Sequence, residues 1–509
     1  MLSIFDEGPP PPCPAPFNLA AHVLGRAGAR PDKPALLLLG GSAPQESQEW
    51  SFRDLERAVR ATGSGLLAEG LAPGDIVLMR LGNSVDFPIA YLGAIAAGLV
   101  PVPASAQLTG PEIAALIATL APKAVLRDPA VASAPHPHEI PLGRLQTMRS
   151  GPPCAYAMGD ADRMAYVVYT SGTSGQPQAV AHAHRAIWAR QMMFEDWYGL
   201  RADDRLLHAG AFNWTFTLGT GLMDPWTIGA TALIPSPGTT IAALPALLRK
   251  SRATIFAAAP GVYRKILQSG EKIDLPDLRH GICAGEKLSP ALQAAWRKAT
   301  GTPLYEAFGM SECSTFISAG PGFSVGSGTL GRPQKGRRVA ITDDSGEPLP
   351  LGEAGTIAVS RRDPGLMLGY LGADEATQSR FRGEWFLTGD QGTMAADGQI
   401  SYLGRGDDMM NAGGFRVSPL EVEEVLNAHP GIRQAAVTDV EIKPDTRIIV
   451  AFYTGPVPVP AANLEAHCAQ NLARYKQPRA FVHLDDLPLG ANGKLRRSAL
   501  RAHFKAEQT

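Results

Sequence analysis

The chain has 509 residues, 45% of them hydrophobic, with 47 basic against 48 acidic side chains and a formal charge of −1. That length exceeds a single core and asks for roughly two to four packing units, while the mixed, balanced charge excludes a basic nucleic-acid face and a polybasic membrane tail. Cys13, Cys154, Cys283, Cys313 and Cys468 are scattered with no CxxC pair, which argues against a zinc or redox site and fits a reducing cytoplasm, and no signal-peptide pattern or apolar run of ~20 residues is seen.

After a proline-rich lead, residues 17–26 read as a helix and Pro34–Leu39 (PALLLL) as a strand. Residues 51–67 open on a Ser cap and carry Leu55, Ala58, Val59 and Leu66 at helical spacing. The alternation continues through strand 76–81, helix 87–97 and strand 100–102, predicting a layered α/β body with helices on both faces of a sheet. Residues 130–153, interrupted by Pro135, Pro137, Pro141, Pro152 and Pro153, are expected to be irregular. His136 and His138 among them read as solvated loop residues, with a metal site as the alternative.

Tyr166, Val167, Val168 and Tyr169 form a short strand-like run. It leads into Thr170-Ser171-Gly172-Thr173-Ser174-Gly175, where hydroxyls and flexible glycines let N–H and Oγ groups wrap an anion. A surface linker has the same composition. The strand in front, Pro177 behind and the prompt return to apolar Ala179-Val180 favour the anion cradle. A Walker loop is excluded, because Gly175 is followed by Gln176 and not by Lys.

A second α/β stretch covers residues 206–304, with a strand at 253–258 and a helix at 290–299 behind a Ser289 cap and Pro290. From Gly331 onward, glycine and proline separate short β-like runs such as Gly355–Ser360, predicting a β-rich subdomain. Gly404-Arg405-Gly406-Asp407-Asp408 marks a boundary. Beyond it Ser418-Pro419-Leu420-Glu421 reads as a capping box for a helix over 422–428, followed by a strand over 447–454 and a helix over 464–476. The expected division is therefore 1–404 and 405–509, the second part an α+β domain of lid size.

The phosphate-loop segment YTSGTSGQPQA resembles the YTSGTTGxPKG loop of the acyl-adenylate-forming superfamily, and the chain is most similar within it to short- and medium-chain or aryl acyl-CoA synthetases. It departs from that pattern at Ser174, Gln178 and Ala179, where Thr, Lys and Gly are usual. The resemblance implies a large multi-subdomain N-terminal α/β domain that includes the β-rich subdomain, with a small mobile α+β lid at the C-terminus. It also implies ATP, Mg2+ and coenzyme A. A carboxylic acid and ATP would give acyl-AMP and pyrophosphate, and the thiol of coenzyme A would then displace AMP.

Further motifs follow in the family's order. Glu306-Ala307-Phe308-Gly309-Met310-Ser311-Glu312 resembles YGxTE, which implies Phe308 against adenine, Ser311 at phosphate and Glu312 on magnesium. Gly285-Glu286-Lys287 resembles the SAGEPL segment that lines the purine. Residues 385–390 resemble WxxTGD, whose carboxylate, here Asp390, accepts from the ribose hydroxyls with Arg405 as its partner. Asp407 takes the hinge position, and Asn411-Ala412-Gly413-Gly414-Phe415 matches the loop facing the pantetheine arm, with Arg416 placed to meet phosphate. LPLGANGK, ending at Lys494, resembles the loop that delivers the adenylation lysine, so the implied catalytic set is Lys494, Glu312 and Thr170.

Phe212-Asn213-Trp214-Thr215 falls where amino-acid-activating relatives carry FDxS, and Asn213 in place of Asp counts against an α-amino acid. Gly309 stands where acetate-specific relatives place a bulky Trp, so room for a longer chain or a ring is expected beside Phe212, Asn213, Trp214 and Met310. The expected partners are a small carboxylic acid, ATP and coenzyme A, with a homodimer left open. Two alternatives stand beside this reading. One is a stand-alone adenylating enzyme that loads a carrier-protein thiol; the other, prompted by Gln178, is a nucleotide-binding pseudoenzyme.

Overall fold

Near-continuous apolar runs become strands buried on both faces, as parallel sheets require. The computed structural model describes residues 1–40, 48–170, 178–269, 273–323, 325–326, 328–406, 408–412, 415–443, 446–472, 474–489 and 495–507. The chain divides into two units, residues 5–338 with 360–386, and residues 1–4 with 339–359 and 387–509.

In the larger unit one parallel sheet runs in the order Val100–Pro103, Ile76–Arg80, Ala124–Arg127, Glu139–Pro141. A second has the parallel core Leu304–Met310, His280–Ala284, Ile255–Ala257, Arg205–His208, Thr231–Pro235, Pro34–Leu39, with antiparallel strands at both edges. After His208 the chain adds Thr231–Pro235 on one side and then crosses to add Ile255–Ala257 on the other. Such a reversal opens a crevice beyond the carboxyl ends of the strands, where open α/β sheets bind ligands. A third, antiparallel sheet joins Met164–Thr170, Gln178–Ala183 and Gly369–Tyr370.

Helix Phe52–Ala68 begins where expected, with the Ser51 hydroxyl accepting the Asp54 N–H at 3.1 Å. The helix expected over 17–26 is shorter, Leu19–Val23, because Asn18 caps it by accepting from the N–H groups of Ala20 and Ala21. The stretch 130–153 is not irregular throughout. It holds strand Glu139–Pro141 and helix Leu142–Met148, since Pro141 sits at the helix entrance and Leu145 and Met148 are buried one turn apart. The ring of His136 meets the carbonyls of His138 and Pro122 at 3.0 Å each, and no cluster of three or more metal-type ligands exists among the described residues.

The smaller unit holds most of the antiparallel strands Arg338–Thr342, Gly355–Ser360 and Trp385–Met394 together with Ile400–Arg405, the expected β-rich part. It also holds a sheet in the order Gln434–Lys443, Thr446–Thr454, Ala480–His483. Val437, Ile449 and Ala451 of this sheet pack with Val422, Leu426, Leu464 and Cys468 of helices Pro419–Asn427 and Ala461–Asn471. Alternate residues Ala436, Val450 and Phe452 pack with Leu500 and Phe504 of helix Arg497–Glu507. The capping box expected at Ser418 does not form. The Ser418 hydroxyl donates to the Leu403 carbonyl and Glu421 pairs with Lys476, because both side chains have tertiary partners within reach. A capping box does form at Thr109, whose N–H and hydroxyl both donate to Glu112, at 2.8 and 2.7 Å.

Candidate active site

Strands Met164–Thr170 and Gln178–Ala183 pair as far as Thr170 opposite Gln178, where the Thr170 hydroxyl lies 3.4 Å from the Gln178 carbonyl. The loop 171–177, with Ser171, Gly172, Thr173, Ser174 and Gly175, lies outside the described residues; both of its ends are fixed by this hairpin.

The other candidates of the larger unit stand beyond the carboxyl ends of neighbouring parallel strands or, for residues 306–310, within the last of them. After Arg205–His208 the chain is clamped by Asn83, whose side-chain oxygen accepts the Phe212 N–H at 2.8 Å, and by His208, whose Nδ1 accepts the Gly210 N–H at 3.0 Å. Phe212 points into the core, 5.7 Å from the ring of Phe87. Asn213 lines a cavity, and the ring of Trp214 passes over Gly285 so closely that a Cβ there would lie 2.7 Å from it. Gly285 also has φ +94°, which a side chain would strain. Of the sequence-derived residues, this brings the acid and purine candidates together.

Glu306 is buried and its carboxyl accepts the Leu288 N–H at 2.9 Å, tying the segment after Lys287 to strand Leu304–Met310. Burial pushes its pKa from 4.5 up to about 8, against the opposing pull of the Leu288 N–H and Lys287. Ala307 is core, and the ring of Phe308 stands edge-on to Phe316 at 5.4 Å. The room expected at Gly309 is filled. A Cβ there would lie 2.2 Å from the Ser314 carbonyl and 2.4 Å from the Thr315 Cα, so glycine is required by the closeness of the facing strand. Glu312 accepts the Tyr370 hydroxyl at 2.7 Å.

The cavity encloses about 500 Å³ of empty space, counting its open side. Tyr91, Tyr166, His182, Arg190, Asn213 and Ser311 are among the residues that line it. The lining Arg190 is held in an ion pair in which Asp224 takes its Nε and Nη2 at 2.7 and 2.6 Å, with the Tyr198 hydroxyl donating to the same carboxylate at 2.8 Å. Burial opposes the charge on Arg190, and Asp224 overcomes that cost and holds the guanidinium above its ordinary pKa. None of Tyr91, His182, Arg190 and Asp224 carries a local sequence signal. Tyr91 lies within helix Asp86–Ala96, His182 on strand Gln178–Ala183, Arg190 just after helix Arg185–Ala189 and Asp224 at the start of helix Asp224–Ile228, and only the fold joins them.

In the smaller unit Asp390 and Arg405 sit opposite each other on paired strands, Nη1 lying 3.3 Å from Oδ2. Tyr402, which the motifs did not indicate, donates its hydroxyl to Oδ1 at 2.9 Å. Thr388 braces the turn by accepting the Asp390 N–H at 3.1 Å and donating to the Ile357 carbonyl at 2.7 Å. Backbone strands Met410–Ala412 and Phe415–Val417 pair, with Asn411 opposite Arg416 and Ala412 opposite Phe415. Asp407, Gly413, Gly414 and Lys494 lie outside the described residues.

A hairpin-held hydroxyl loop and acid and purine candidates at neighbouring strand ends are what an adenylating site requires. The sequence matches the AMP-binding enzyme family over residues 25–371 and the AMP-binding enzyme C-terminal domain over residues 421–494. The chain belongs to the AMP-binding enzyme family. It is 30% identical to benzoate–CoA ligase of Thauera aromatica over 98% of this chain and 99% of that one. It is 28% identical to the mitochondrial acyl-coenzyme A synthetase ACSM3 of Mus musculus over 95% and 90%. Its fold matches that of the anthranilate CoA ligase AuaEII in complex with anthranoyl-AMP with a TM-score of 0.86 and 27% identity, covering 96% of this chain and 98% of that one. This AMP-binding enzyme is an acid–thiol ligase that forms an acyl-adenylate and then an acyl-CoA. No helix among its described residues is long and apolar enough to cross a membrane.

Proposed function

We propose that this AMP-binding enzyme activates a ring-bearing or medium-chain carboxylic acid, with acid and nucleotide phosphates meeting beyond the strand ends of the larger unit. One observation carries this reading: Asn213, Ser311 and the strand that runs into the phosphate loop line one cavity. The acid's carboxylate oxygen attacks the α-phosphorus and the bond to pyrophosphate breaks. The thiol sulfur then attacks the acyl carbon and the bond to AMP breaks.

Thr170, the loop 171–175 and Ser311 hold phosphate, Phe308 and the segment Gly285-Glu286-Lys287 flank the purine, and Asp390 with Arg405 takes the ribose hydroxyls. Lys494 supplies positive charge where the carboxylate and the α-phosphate are forced together, which is where an ammonium lowers the barrier most. Segment 411–416 faces coenzyme A in the second step, with Asp407 as hinge between domains 1–404 and 405–509. The family matches, which end at 371 and resume at 421, support that division.

Glu312, which accepts the Tyr370 hydroxyl, would offer a hard oxygen donor to a magnesium ion, and the ion would supply positive charge beside the phosphates. All five cysteines are unpaired, which supports a reducing compartment such as the cytoplasm.

ATP–pyrophosphate exchange across a panel of aromatic and aliphatic acids tests the proposal. Exchange with ring-bearing acids, followed by AMP release on adding coenzyme A alone, is expected. Exchange with no acid would leave a nucleotide binder without turnover, and AMP release only on adding a carrier protein would change the acceptor.

A further inference from the structure

Among the described residues, two polar groups in the cavity have no partner. The Tyr91 hydroxyl and the Nδ1 atom of His182 are buried and make no hydrogen bond, and both residues line the cavity together with Arg190. The tautomer of His182 follows from its other nitrogen. Nε2 lies 2.7 Å from the Ser311 carbonyl, which only accepts, so Nε2 carries the proton and Nδ1 is a bare acceptor. Burial lowers the pKa of His182 to about 4, and the ring is neutral at ordinary pH.

The arrangement is built and rigid. The His182 ring stacks on Tyr166 with centroids 4.9 Å apart and planes 13° apart, and Tyr91 meets Tyr166 at 6.1 Å. Folding has left a donor and an acceptor without a partner among the described residues in one cavity, an arrangement that is costly unless something else satisfies them. The remaining walls include Pro103, Val168, Leu218 and Met223, which suit a flat apolar body. Among the described residues the only lining charge is Arg190, already neutralised by Asp224, so neither an ammonium nor a second carboxylate is matched there.

We propose that the acid activated here is an arenecarboxylic acid bearing a ring hydroxyl, which donates to His182 Nδ1 and accepts from the Tyr91 hydroxyl. This rests on the acid-adenylating reading above and names its substrate class. A ring hydrogen, methyl or halogen leaves both groups unpaired, and a ring carboxylate, having no proton to give, places an anion against a bare acceptor.

The test is the kcat/KM for pyrophosphate exchange by the wild-type enzyme with benzoate, the three monohydroxybenzoates, the matching methylbenzoates and benzenedicarboxylates, and hexanoate. At least one hydroxybenzoate is expected to exceed benzoate and its methyl counterpart by ~10-fold or more. In Tyr91→Phe that ratio is expected to fall by ~10-fold, with the melting temperature kept or raised because an unpaired buried hydroxyl has been deleted. Benzoate, a methylbenzoate or hexanoate matching every hydroxybenzoate would overturn this inference and leave adenylation standing. A ratio unchanged in Tyr91→Phe would overturn it as well, and exchange with no acid would instead remove the parent reading.

Discussion

Asp390 and Arg405 occupy opposed positions on two antiparallel strands, 15 residues apart in sequence, with Nη1 3.3 Å from Oδ2. The same carboxylate accepts the Tyr402 hydroxyl, so its lone pairs are directed by the fold itself. Asp390→Ala is expected to lower kcat/KM for ATP in pyrophosphate exchange by ~10–100-fold, and Tyr402→Phe by less. Thermal melting run alongside separates this from unfolding, since a ribose role requires folded protein with weakened nucleotide use.

Glu306 predicts a pH dependence of stability. Burial raises its pKa from 4.5 to about 8, so the folded chain keeps this proton to higher pH than the unfolded chain does. The contribution is complete below about pH 4.5 and is lost as pH rises through about 8, a decline on the order of a few kcal/mol. Glu306→Gln keeps an acceptor for the Leu288 N–H and removes the titration. Melting temperatures across this window should flatten in that variant, and an unchanged slope would place the titration elsewhere.

The Arg190–Asp224 pair is expected to behave as one unit. Removing one partner by Asp224→Ala leaves a buried guanidinium unpaired and should cost about 3–5 kcal/mol in urea unfolding. The double change Arg190→Met with Asp224→Leu should cost far less than the two single losses combined. Additive losses would show that the pair is not coupled.

Gln178 begins the strand after loop 171–177, opposite Thr170, at the place where the acyl-adenylate loop pattern it resembles has Lys. Loss of one donor to developing charge costs about 2.7–4 kcal/mol when nothing replaces it. Gln178→Lys is therefore expected to raise the adenylation rate or leave it unchanged, and a large fall in single-turnover acyl-AMP formation would assign Gln178 a role of its own.

Motifs with a local signal were legible in the sequence, and contacts made by long-range folding were not. The strand before the loop 171–177 and the Ser51 and Ser289 caps follow from spacing and turn chemistry, the Asp390–Arg405 pairing is implied by the family resemblance, and each is present. Gly309 shows the limit. The sequence reads it as space for substrate, whereas a backbone carbonyl from residue 314 occupies that space, because a hairpin of irregular register brings the strands together. Ser418 failed as a capping box for a related reason: the Leu403 carbonyl, 15 residues upstream, takes its hydroxyl. Tyr91 and His182 belong to none of the motifs, and their polar tips acquire meaning only once separate strands and helices enclose one cavity.

The division of labour between the two half-reactions rests on Lys494, and Lys494→Ala tests it most directly. Given acid and ATP, the variant should lose ~10²–10³ in the rate of acyl-AMP formation, because the cation that screens carboxylate from phosphate is gone. Given synthetic acyl-AMP and coenzyme A, it should form thioester at close to the wild-type rate, since the second step is assigned to segment 411–416. Equal loss of both steps would contradict the account and make Lys494 a structural residue.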